Sequence, residues 1–146
     1  MSLPQAAAPH PAPRVHAFHI WALRVVYALM LVGMAPTAWS ALLGHAGPWD
    51  PKAGVAFSVW AAYGSLALLG LLRPLRMLPI VLFMILYKSL WLAFVAYPLW
   101  RAGTLTGSPA EELATIFIAA PLFSLAVPWR YVLHRFVQPR RPAVAR

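Results

Sequence analysis

Residues 77–100 read MLPIVLFMILYKSLWLAFVAYPLW. The run is apolar except near its middle, where Lys88 stands about a dozen residues from either end. At about 1.5 Å rise per residue, a helix of this length crosses the roughly 30 Å hydrocarbon core of a bilayer. Lys88 then lies near the midplane. A cation at that depth costs roughly 2.5 to 3.5 kcal/mol on insertion scales and needs a partner, a water-filled cavity or a lost proton. Such a residue marks a functional position by default. The stretch therefore decides two things at once: the chain crosses a membrane, and it carries a polar group inside it.

The composition agrees. Of 146 residues, 62% are hydrophobic and 10% charged, against about 25% charged in a soluble domain. Twelve Lys and Arg against three acids give a formal charge of +9. In a soluble protein that excess points to nucleic acid. Here most cations flank apolar segments, so nucleic acid is not an expected partner. Anionic lipid head groups are, at Arg73, Arg76, Arg130 and Arg135. The absence of cysteine removes disulfides, thiolate catalysis, Fe–S clusters and Cys-based zinc sites.

Working outward, Arg73-Pro74-Leu75-Arg76 is a connector short enough to make an antiparallel hairpin with a preceding span, 52–72. Asp50 before Pro51 reads as a helix N-cap followed by proline at the first helical position. A further apolar segment covers 20–43, with Trp21 and Trp39 towards its ends as interfacial anchors. A cleaved signal peptide with Arg14 and Arg24 as its basic region is the rival reading, but the segment is long for that. On the other side, Ser108-Pro109-Ala110-Glu111 reads as a capping box opening a fourth span, 110–127. Pro36, Pro79, Pro98 and Pro121 are expected to interrupt spans one, three and four. Past Pro128, the residues Trp129, Val132, Leu133, Phe136 and Val137 recur at helical spacing, as in a short amphipathic helix. That helix either continues span four or lies along the membrane surface.

The fold class that follows is all-α: an integral-membrane four-helix transmembrane bundle with a short C-terminal amphipathic helix. Its parts are a disordered tail over 1–18, the transmembrane domain over 19–128, and the amphipathic helix and basic tail over 129–146. Nine cations fall on one side of this arrangement: Arg14, Arg24, Arg73, Arg76, Arg130, Arg135, Arg140, Arg141 and Arg146. Only Lys52 and Arg101 fall on the other. The positive-inside rule then puts both termini in the cytoplasm, and a bacterial inner membrane is the expected location. All three acids, Asp50, Glu111 and Glu112, lie at helix N-termini on the opposite side, where the macrodipole favours them.

Lys88 heads the candidate ligand-binding residues. No acid shares its depth, so hydroxyls, freed carbonyls or a bound anion are its expected partners. Tyr87 and Ser89 flank it, and Trp91 lies one turn on, in place for a cation–π contact. Tyr63 and Tyr27 come from the middle of span two and two turns into span one, within reach in a compact bundle. Gly54, Ser58, Ala61 and Ser65 make one small-residue stripe on span two, expected at a close helix contact. His16, His19 and His134 are weak candidates for a metal or haem site near one interface. No histidine lies deep in a span, and no metal or cofactor is expected.

No carboxylate lies deep in a span, which removes the small multidrug-exporter mechanism. No phosphate loop or nucleophile elbow is present. The sequence alone ranks first a non-enzymatic accessory or interaction protein that organises partners or lipid, with a homo-oligomer or a protein partner. Second comes a carrier, channel or lipid- or quinone-handling protein with its polar site at Lys88. A membrane enzyme comes third.

Overall fold

The computed structural model describes residues 14–137. The chain is helical throughout its long elements, with no strand among the described residues. Four helices are long and apolar enough to cross a membrane. We label them α1 (Ala17–Gly44), α2 (Pro51–Leu72), α3 (Leu78–Arg101) and α4 (Pro109–Ala126). A short helix, α5 (Trp129–Val132), runs on into a wide π turn over Leu133–Val137. The tail expected over 1–18 lies outside the described residues up to 13. The basic tail lies outside them past 137.

The caps show why the helices begin where they do. Asp50 has extended backbone and accepts from the Ala53 N–H at 2.8 Å, with Pro51 in the first turn of α2. Ser108 caps α4, its Oγ accepting from the Ala110 N–H at 3.3 Å. The capping box differs from the expected reciprocal form. Glu111 reaches one residue further back and accepts from the Gly107 N–H at 2.7 Å.

Two prolines sit in a repeated local device. Proline lacks an N–H, and its ring clashes with the carbonyl four residues earlier. In α1 a π turn over Met30–Met34 comes just before Pro36. In α3 a π turn over Leu92–Ala96 comes just before Pro98. Each widened turn takes up the misfit, so neither helix ends there. Pro121 follows a break in α4 after Phe117, and the helix resumes at Ala120. Pro79 is a correction to the expected pattern. It lies in the first turn of α3, where a missing N–H breaks no helical bond.

Between α2 and α3 the chain reverses over residues 73–77. The N–H groups of Arg76 and Met77 donate to the Arg73 carbonyl at 3.1 and 3.2 Å. Tyr27 of α1 locks this turn in place. Its ring is fully buried, and its hydroxyl donates to the Pro74 carbonyl at 3.1 Å. The ring lies so close to Gly70 that a Cβ there would stand 2.3 Å from Tyr27 Cδ1. Gly64 allows a second close approach, to the backbone of Ala35. The small-residue contact face of α2 is therefore Ala61, Gly64, Ala67 and Gly70, all buried. The expected stripe of Gly54, Ser58, Ala61 and Ser65 shares only Ala61 with it, and Ser58 and Ser65 are exposed.

The packed core sits at one end of the bundle, where α1 begins, α2 ends, α3 begins and α4 ends. Leu23, Val26, Tyr27, Ala67, Leu78, Val81, Val127 and Val132 form its centre. We call this the near end. All three acids lie at the far end, in the residues before α2 or the first turn of α4. There the second half of α1 packs on α2, while the first part of α4 meets the π turn of α3. That uneven packing leaves a gap between α1 and α4.

A candidate ligand cavity at Lys88

The gap is a cavity of about 520 Å³, within the range of small-molecule sites. Its deep wall is buried: Val26, Met30 and Ala38 from α1, Met84 and Lys88 from α3, and Phe117 from α4. Its rim is exposed: Leu29, Gly33 and Thr37 from α1, Glu112 and Ile116 from α4. The cavity thus opens sideways between α1 and α4.

Lys88 is the one buried charged residue among the described residues, at 4% exposure. Its Nζ stands 4.8 Å from the centroid of the Phe117 ring. No buried side-chain nitrogen or oxygen among the described residues lacks a hydrogen-bond partner. The amine meets the cavity, and so is not sealed without a partner in the core.

Phe117 is held rigidly for this contact. Tyr87 and Trp91 of α3 both pack edge-on against its ring, with centroids at 5.7 and 5.2 Å. Trp91 therefore acts on Lys88 through Phe117, in place of the direct cation–π contact expected of it. A cation held over an aromatic face gains about 0.5 to 2 kcal/mol, more as water is removed.

The remaining sequence candidates divide. Tyr63 and Tyr87 join hydroxyl to hydroxyl at 2.8 Å, and the Tyr63 hydroxyl also meets the Met34 sulfur. This pair buttresses the wall, since Met34 lines the cavity. Tyr27 does not approach Lys88, because its hydroxyl is committed to Pro74 at the near end. Ser89 is half-buried and lies outside the cavity lining. His19 is held through Nδ1 against the Ala126 carbonyl at 3.2 Å. Among the described residues no three His, Asp or Glu side chains converge as a metal site would need.

Glu112 is what sequence reasoning left out. It lies at the far end, but with Leu113, Ile116 and Phe117 it lines the cavity from α4, exposed at the rim while Phe117 is buried. Four residues lie between it and Phe117. A signal existed: Glu112, Leu113, Ile116 and Phe117 recur at helical neighbour spacing. Which way that face turned was not readable from them.

No family model, characterised protein or solved structure matches this chain. The reading of the site therefore rests on its own geometry.

Proposed function

We propose that this is a small bacterial inner-membrane protein that binds an amphipathic, membrane-soluble ligand in the cavity at Lys88, as a lipid- or quinone-handling protein or carrier would. One observation carries the reading: the only buried cation among the described residues lines a laterally open cavity whose other deep walls are apolar. A lone ammonium group among apolar walls suits a ligand with one acceptor head, a carboxylate or a quinone carbonyl, and an apolar body.

Glu112 at the rim does not exclude an anionic head. The amine belongs to the buried wall and the carboxylate to the exposed rim, so a head seated at the amine lies in the less solvated part of the cavity, where its attraction is the less screened of the two. The side opening between α1 and α4 gives a ligand dissolved in the bilayer a route that avoids water. An accessory role, which ranks first from the sequence alone, gives no reason for the amine to line a cavity.

The test is native mass spectrometry of the purified full-length protein and of Lys88→Met, with co-purifying small molecules identified. Wild type is expected to retain an amphipathic carboxylate or quinone, and Lys88→Met to lose it. The fold of Lys88→Met should stay intact, because the apolar replacement leaves no uncompensated buried charge. Equal retention by both proteins would sink the proposal.

A further inference from the structure

A second cavity lies at the near end, well away from Lys88. It is a surface depression of about 500 Å³ lined by Ile20 and Arg24 of α1 and by Arg73, Pro74, Leu75 and Arg76 of the α2–α3 turn. Three arginines from two separate chain segments line this one depression. None of the acids is near: Asp50, Glu111 and Glu112 all belong to the far end.

The fold builds this convergence. Tyr27 lies one turn after Arg24 on α1. By fitting its ring against Gly70 and bonding the Pro74 carbonyl at 3.1 Å, it draws the turn against α1. Arg73 and Arg76 flank that bonded residue, so the same lock brings them beside Arg24. Arg24 is further steadied by the Trp21 ring, whose centroid is 5.4 Å from its Cζ.

We propose that Arg24, Arg73 and Arg76 form a binding site for the head group of a lipid carrying two phosphates. Three positive charges in one depression, with no acid at that end among the described residues, leave a single phosphodiester under-compensated. Arginine forks suit phosphate oxygens bidentately. The shared chemistry is phosphate, which could also come from a free ion. The apolar walls favour the lipid, because Ile20 and Leu75 stand beside the arginines where acyl chains would leave a head group. Basic pockets between transmembrane helices are a recurring way of holding such lipids. The site is independent of the Lys88 reading.

The experiment uses the full-length protein in detergent, with native mass spectrometry after addition of diphosphatidylglycerol, phosphatidylglycerol or phosphatidylcholine. One diphosphatidylglycerol per chain is expected, in preference to the other two. Arg24→Gln with Arg73→Gln should weaken that retention about thirtyfold. Lys52→Gln with Arg101→Gln, which removes the same charge at the far end, should leave it unchanged. Should the arginine pair fail to fold, Arg76→Gln alone is expected to weaken retention about fivefold. Tyr27→Phe should weaken it too with every charge kept, because the turn is released. Equal loss in the far-end control would reduce the effect to net charge and overturn the site. Displacement of the lipid by millimolar inorganic phosphate would make it a free-ion site and overturn the lipid assignment.

Discussion

At the residue scale, the tightest constraint in the chain is Gly70 beneath Tyr27. A methyl group at Gly70 would stand 2.3 to 2.6 Å from three atoms of a fully buried aromatic ring. The ring cannot swing aside without losing its bond to Pro74. Gly70→Ala is therefore expected to destabilise by about 1 to 3 kcal/mol, the usual range for overpacking. Gly33→Ala is the contrast, since nothing lies within 4 Å of its added carbon. Thermal unfolding of both variants in the same detergent checks the pair, and equal melting temperatures would remove the lock. None of this was legible in the sequence. The inward position of Lys88 was, because a cation at mid-span is too costly to leave facing lipid. Its aromatic partner was not. These helices are apolar over most of their length, so the pattern alone does not fix how α4 turns towards α3, and Trp91 was as good a candidate as Phe117.

At the element scale, starts and stops were readable where capping chemistry is local. Asp50-Pro51 and Ser108-Pro109 opened α2 and α4 as expected. The two π turns were not, since proline signals a misfit without saying how the helix absorbs it. The same limit applied beyond span four, where the sequence left a continuous helix and a surface helix both open. Val127 takes extended backbone before Pro128, so α5 is a separate element. Val132 anchors it to the core, while Trp129, Leu133, Phe136 and Val137 remain exposed. An apolar face of this kind, with Arg130 and Arg135 also exposed, suits a helix lying at a head-group boundary. Replacing both arginines with Glu is expected to detach the segment from anionic bilayers. The measurement is amide exchange over residues 129–137 in vesicles, which should quicken. Unchanged exchange would mean that the Val132 anchor alone holds it.

At the scale of the whole molecule, the two ends differ in packing and in charge. Among the described residues, the near end holds the packed core and most cations, and the far end holds every acid. Between them the surface is apolar: Val32 and Phe94 are each at least 74% exposed. Bare apolar surface on this scale needs lipid or a partner to cover it. The four long helices were visible in the sequence because length and hydropathy are enough to find a span. Their orientation in the membrane rests on the cation asymmetry. If the near end faces the cytoplasm, the loop between α3 and α4 lies outside while both termini lie inside. The chain has no cysteine, so single replacements are clean reporters. Thr106→Cys, in that loop, should react with an impermeant thiol reagent in intact cells. Ala145→Cys, outside the described residues, should react only after the membrane is opened. Labelling of both from the same side would overturn the four-span topology. Labelling from opposite sides, but with Ala145→Cys outside, would keep the four spans and invert the orientation, moving the three-arginine site to the outer leaflet.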